Sequence, residues 1–166
     1  IMVNEVRIMQ DDINQIIQSV RELKHKYKYV FTTGGIGPTH DDVTAEAIAT
    51  AFNQKYIYHK KAYKILEDYY TKKEFNDGRK KMAKMPENAK LIPNPKTFAA
   101  GFYVDNVFVL PGVPEILLAM INELNKIIPN SDEILSISGD LFTRESEIAA
   151  VSYTHLRAHE TKSSLV

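Results

Sequence analysis

Hydrophobic positions in this chain follow two periods, one near two residues and one near 3.6, and they change from one to the other at loops marked by glycine or proline. Val3, Val6 and Ile8 make a strand-like opening run. Ile13, Ile16, Ile17, Val20, Leu23 and Tyr27 then recur at helical spacing behind Asp11 and Asp12, which offer a cap. Gln15, Gln18, Arg21, Glu22 and Lys26 fall on the outer face. Residues 29–33 (Tyr-Val-Phe-Thr-Thr), β-branched and aromatic, predict a buried strand. Strand, helix, strand within about thirty residues is the size of a right-handed βαβ crossover, so a parallel sheet is expected here. Further helical patterns run over residues 44–52 and 60–70, separated by a short run at 56–58, and a basic helical piece over 76–84 ends at Pro86. Pro86, Pro93 and Pro95 interrupt an excursion carrying Leu91 and Ile92. Residues 102–104 and 107–110, joined by Asp105-Asn106, predict a hairpin. Its second strand leads through Pro111, Gly112, Val113 and Pro114 into an apolar helix carrying Ile116, Leu117, Met120, Ile121 and Leu124. A strand at 134–137 and a helix begun at 145–150 complete an α/β pattern.

The segment with the most chemistry lies between residues 29 and 51. Gly34, Gly35, Ile36 and Gly37 end the strand, and a helix opens near Thr44. Glycines let amide N–H groups face one anion without side chains in the way, and a helix start adds unpaired N–H groups and a positive dipole end. A phosphate is the ligand this predicts. The loop lacks the lysine and following Ser/Thr of a P-loop, and its glycine spacing is not the dinucleotide fingerprint. Asp41, Asp42 and Glu46 crowd the same place. Carboxylates beside a phosphate repel it unless a cation lies between, so Asp41 and Asp42 are candidate ligands of Mg²⁺ or another divalent metal. Asp42 or Thr44 could equally cap the helix, Glu46 reads as structural, and His40 could contact phosphate or lie exposed. Lys80, Lys81, Lys84 and Arg79 could reach a phosphate, though a basic helix face is ordinarily a solvated one.

Composition narrows the partner. The 166 residues carry 21 basic and 21 acidic side chains, a balance that gathers neither nucleic acid nor an anionic membrane, so a small molecule is expected. No helical stretch is apolar enough to span a bilayer. With no cysteine there is neither disulfide nor thiolate, which suits a cytoplasmic setting. The length fits one α/β domain, expected over residues 1–150. Residues 151–166 (Val-Ser-Tyr-Thr-His-Leu-Arg and onward) resemble the conceptual translation of a sequencing-library adapter and are read as a non-native tail. Without them 19 basic and 20 acidic residues remain, and the charge argument holds.

The run from Thr32 through Thr33, Gly34, Gly35, Ile36, Gly37, Pro38, Thr39, His40, Asp41, Asp42, Val43 and Thr44 to Ala47 closely resembles the signature of the molybdopterin-binding (MoaB/Mog-type) domain. Its Gly-Pro-Thr-His-Asp-Asp form is most similar to the branch of competence/damage-inducible protein CinA and of FAD synthases. The segment 110–114 is similar to that family's second loop. The resemblance implies a three-layer α/β/α fold with a mostly parallel sheet, commonly oligomeric, whose two loops lie over a pterin or nucleotide phosphate. It implies phosphate or nucleotide contacts at Thr33, Gly34, Gly35, Ile36, Gly37, Thr39, His40, Thr44, Pro111, Gly112, Val113 and Pro114. Mog-type members use the aspartate matching Asp42 in adenylyl transfer to molybdopterin with Mg²⁺. CinA-branch members are associated with hydrolysis of the pyrophosphate of ADP-ribose- or FAD-like nucleotides. Asp41 stands where the Mog pattern has arginine, and a more acidic site favours the hydrolase branch, with Asp41 and Asp42 as catalytic residues. Adenylylation of molybdopterin is the first alternative, and a non-catalytic nucleotide- or pterin-sensing module the second. Two departures from the pattern are expected to matter. The family's first strand and its Gly-Asn-Glu loop are not found ahead of Ile1, and Ala99-Ala100-Gly101 replaces Ala-Pro-Gly.

Overall fold

Four consecutive residues, Val107, Phe108, Val109 and Leu110, are all buried, and they set the layering of the molecule. Successive side chains on a strand point to opposite faces. Val107 and Val109 accordingly join one apolar cluster with Ile16, Val20 and Ile48, whereas Phe108 and Leu110 join another with Ile92, Met120 and Leu124. A strand buried on both faces reads as a continuous apolar run, and it requires a helical layer on either side.

The computed structural model describes residues 3–128. Its elements are α1 (Ile13–Lys26), β1 (Val30–Thr33), α2 (Thr44–Ala51), β2 (Tyr56–Tyr58), α3 (Lys60–Tyr69), α4 (Asp77–Lys81), β3 (Lys84–Pro86), β4 (Lys90–Ile92), β5 (Gly101–Val104), β6 (Val107–Leu110) and α5 (Pro114–Ile127). The main sheet has the order β1-β6-β5-β4. Strand β1 runs parallel to β6 in the register Val30↔Val107 to Thr33↔Leu110, while β5 pairs antiparallel with both β6 and β4. Helices α1 and α2 cover one face and α5 the other, the α/β/α layering expected from the sequence. The expected hairpin forms as β5–β6, its turn helped by Asp105 at φ 50°. Asn106 ties the turn to the end of α1, donating to the carbonyls of Lys24 and Tyr27.

Two elements differ from the sequence reading. The strand-like run at the start is not a strand. Val3, Val6 and Ile8 are largely exposed, and the expected parallel crossover through α1 therefore has no first strand among the described residues. A groove of about 630 Å³ separates this segment from β1. Val30 and Gly34 donate toward β6, so by alternation the amides of Phe31 and Thr33 face the groove, without a strand partner among the described residues. The one buried side-chain polar atom lacking a partner among the described residues, the Thr32 hydroxyl, belongs to a residue lining this groove. What holds the segment is charge. Glu5 accepts from the Tyr27 hydroxyl at 2.6 Å and from Lys26 and Arg7, which bring its pKa down to about 2, and Arg7 also pairs with Glu22 on α1.

The second difference is that the basic helical piece is short. It stops at Lys81, and Lys84–Pro86 instead forms β3, an antiparallel partner for β2. Met85 and Pro86 are buried, so apolar packing against α2 and α3 overrides the helical reading. The strand expected at 134–137, the helix at 145–150 and the tail from 151 lie outside the described residues.

Candidate functional site

Two strand-to-helix junctions meet at the carboxyl ends of β1 and β6, the edge where open α/β sheets place ligands. Because the strands are parallel neighbours, their exits are adjacent. Gly34 leaves β1 with φ +95° and donates its N–H to the Leu110 carbonyl at 2.9 Å. A Cβ on Gly112 would lie 3.1 Å from Gly34 Cα. Thr33, Gly34, Pro111 and Gly112 are thus brought together, with Gly112, Val113 and Pro114 exposed as the second loop runs into α5.

The first loop folds back on its own helix. The Gly35 carbonyl accepts from the Thr44 N–H, and a Cβ on Gly35 (φ +68°) would collide with the Thr44 hydroxyl at 2.0 Å. Thr44 is buried by this contact and is the first residue of α2, but neither it nor Asp42 caps the helix. Val43 holds the cap position and offers no side-chain hydrogen bond. Asp42 is engaged elsewhere. Its Oδ2 accepts from the Thr39 N–H at 2.8 Å and the Thr39 hydroxyl at 2.6 Å, and its carboxylate lies against Gly37, whose Cβ would fall 2.7 Å from Oδ2. The expected convergence of loop amides on one external anion is therefore divided. Gly34 donates to β6, Thr39 donates to Asp42, and the N–H groups of Gly35 and Ile36 have no acceptor among the described residues.

Both aspartates stay ionised. Burial raises the pKa of Asp42, but the Thr39 hydroxyl, the Gly37 and Thr39 amides and the charge of Lys81 outweigh it, so the net shift is downward. Asp41 is fully at the surface and is lowered by the Thr39 hydroxyl, its own amide, His40 and Lys81. His40 is exposed beside it. Among the described residues no set of three or more His, Cys, Asp or Glu side chains is arranged around a metal position. Two adjacent carboxylates nevertheless suit Mg²⁺, which keeps most of its waters and takes one or two carboxylates plus phosphate oxygens.

Lys81, which the sequence places on an ordinary solvated basic face, instead reaches the glycine loop. Its Nζ donates to the Thr39 carbonyl, and Gly78 on the same short helix packs against Pro38, where a Cβ would sit 3.0 Å from the Pro38 carbonyl oxygen. The basic run 79–84 was the available signal, but only the tertiary contact distinguishes Lys81 from its solvated neighbours. Tyr56, half-buried beside α2, has its hydroxyl pushed up to about 12 by burial and by the charges of Glu46 and Asp42. It stays neutral at physiological pH.

Comparison with known proteins follows the same lines. Residues 1–130 match the family MoCF_biosynth, described as "Probable molybdopterin binding domain". The chain is 35% identical over 143 residues to a protein of Archaeoglobus fulgidus, covering 82% of this chain and 60% of that one. It is 34% identical over 140 residues to a protein of Saccharolobus islandicus, covering 80% of this chain and 53% of the other. It therefore spans little more than half the length of these relatives. A "CinA-like protein" of Desulforapulum autotrophicum is 36% identical over 125 residues, 72% of this chain and 29% of its own. Among solved structures, the protein CinA of Thermoplasma acidophilum, described as of unknown function, superposes with a TM-score of 0.65 at 31% identity, over 70% of this chain and 72% of that one. Among the described residues no helix is long and apolar enough to cross a membrane.

Proposed function

Since the chain belongs to the molybdopterin-binding domain family and is similar to CinA proteins, we propose that it binds the diphosphate of a nucleotide or pterin across the two junctions and hydrolyses it with a divalent metal. One observation carries this reading. Two carboxylates, Asp41 and Asp42, are held ionised next to a loop whose Gly35 and Ile36 N–H groups lack acceptors among the described residues. Donors without partners beside fixed negative charge make an anion site that works through a cation.

In this mechanism the Gly35 and Ile36 amides and the Gly112 backbone bind the phosphoryl oxygens of an ADP-ribose- or FAD-like nucleotide. Thr39 orients Asp42, and Asp41 and Asp42 would hold Mg²⁺ or another divalent ion. When bound, that ion supplies charge neutralisation at the phosphoryl oxygen and lowers the pKa of a coordinated water. Lys81 fixes the Thr39 carbonyl, and its charge helps lower the pKa of both carboxyl groups. The test is an assay of the protein with ADP-ribose and with FAD, with and without Mg²⁺. Metal-dependent release of AMP, lost in Asp42→Asn, is expected, and the absence of AMP from both substrates overturns hydrolysis. ATP-dependent AMP transfer to molybdopterin in its place supports the adenylyltransferase alternative.

One observation favours a second reading, in which the ligand is held without turnover. Asp42 Oδ2 is already saturated by two donors from Thr39. Under that reading Asp42→Asn leaves ligand affinity unchanged, which calorimetry with ADP-ribose would detect.

A further inference from the structure

Phe98 combines three properties seldom found together. The residue is 44% exposed, its backbone is in the left-handed region at φ 61°, and its loop is built to keep it there. A bulky residue at positive φ is an outlier that persists only when its surroundings fix it. Here the agent is Asn94, only 5% exposed. The Asn94 Nδ2 donates to the Thr97 hydroxyl at 2.7 Å and the Ala99 carbonyl at 2.9 Å, and its Oδ1 accepts from the Lys96 and Thr97 amides. The Phe98 N–H then returns to the Asn94 carbonyl at 3.2 Å. The exposed ring packs on exposed Tyr69 at the end of α3, with centroids 4.6 Å apart and planes tilted by 35°.

This aromatic pair is tied to the glycine loop from both sides. On one side Tyr69 packs on Tyr70, the Arg79 guanidinium lies 4.1 Å over the Tyr70 ring, and neighbouring Gly78 touches Pro38 in the glycine loop. On the other side Lys96 pairs with Glu115 at 3.4 Å, on the first turn of α5, and the same junction brings Gly112 against Gly34. These contacts link the aromatic pair to both junctions, with Gly101 at the end of the same loop paired in β5 beside Ile92.

We infer that Phe98, backed by Tyr69, is a stacking platform for the planar ring of the ligand whose diphosphate lies on the Gly34–Gly112 junctions. The inference rests on the phosphate-binding reading above and adds a ring-recognising residue to it. An aromatic face accepts any nucleobase or pterin through dispersion and offset stacking, so it selects for a flat ring without selecting one ring.

The experiment uses the full chain with two probes, inorganic pyrophosphate and ADP-ribose, each titrated calorimetrically with Mg²⁺. Phe98→Asn removes the ring while keeping a residue that tolerates the left-handed backbone, and Phe98→Trp keeps a ring. ADP-ribose affinity should fall about 5- to 150-fold in Phe98→Asn, the range for loss of one base–aromatic stack. It should recover in Phe98→Trp, with pyrophosphate affinity unchanged throughout. Equal ADP-ribose affinity in wild type and Phe98→Asn overturns the platform while leaving the phosphate site standing, and so does an equal loss for both probes. Failure of wild-type protein to bind pyrophosphate or ADP-ribose overturns the phosphate reading and the platform with it.

Discussion

The β1–α2 and β6–α5 junctions do the same topological job and are built from opposite materials. Both leave parallel neighbouring strands, both enter a helix without a side-chain cap, and both place a glycine at the point of contact. The β6–α5 connection is three residues long and is stiffened by Pro111 and by Pro114 at the first helical position, where the missing N–H costs nothing. The β1–α2 connection is ten residues long and is folded by polar groups: Asp42 onto Thr39 and Gly37, Gly35 onto Thr44, and Lys81 reaching in from α4. One junction takes its shape from covalent geometry and the other from charge. Only the second carries titratable side chains, His40, Asp41 and Asp42.

The sharpest way to break the contrast is a methyl group. Gly35→Ala places Cβ 2.0 Å from the hydroxyl of buried, β-branched Thr44, at a positive φ that alanine resists. Overpacking and backbone strain together should lower unfolding free energy by about 3 kcal/mol. Gly112→Ala meets Gly34 Cα at 3.1 Å, without a positive φ, and a shift of a few tenths of an ångström relieves it. About 1 kcal/mol is expected there. Urea unfolding of the two variants tests the ranking, and an equal loss in both would mean that the polar loop is no more tightly specified than the proline turn.

The next effect is smaller and depends on pH. Asp42→Asn keeps an acceptor for Thr39 but removes the charge, which should cost about 1 kcal/mol at neutral pH, below the usual range for hydrogen bonds to a charged group because the site is open to solvent. The folded pKa of Asp42 lies below its ordinary value of 3.8. The carboxylate's contribution is therefore fully present above that value and is lost as pH falls through the folded pKa. The stability difference between wild type and Asp42→Asn should hold steady above 3.8 and narrow as the pH falls below it, measured as the unfolding midpoint from neutral pH into strong acid.

How much of this was legible in the chain follows the same division. The proline junction could be read outright, since Pro111, Gly112 and Pro114 announce a rigid turn before an apolar helix, and the alternation of residues 107–110 between two cores is what a strand buried on both faces looks like. The glycine loop was legible as a loop and as a place for acids. Which amides it leaves open was not, because Asp42 captures the Thr39 amide and hydroxyl through contacts no periodicity encodes. Val3, Val6 and Ile8 misled for a related reason. Strand propensity needs a neighbour to pair with, and among the described residues the segment has none, so α1 holds it through Glu5 and Arg7 instead. Lys84 looked helical and became β3 because burial of Met85 and Pro86 outweighs local propensity.

The least effect on stability is expected at Lys81, and it is the most informative about the comparison. Lys81→Met keeps the apolar stem against the loop and removes one hydrogen bond to the Thr39 carbonyl at a partly exposed site, so about 0.5 kcal/mol should be lost. The same change removes a cation that lowers the pKa of both Asp41 and Asp42. Their carboxyl titrations, followed by NMR, should move upward together, while the chemical shifts of Gly112 and Val113 should stay in place. Movement of the proline loop instead would mean that the two junctions are one coupled unit. A charge-built loop that can be retuned from α4 while its proline neighbour stays rigid is the arrangement that lets one side of a binding site adjust to a ligand as the other fixes its position.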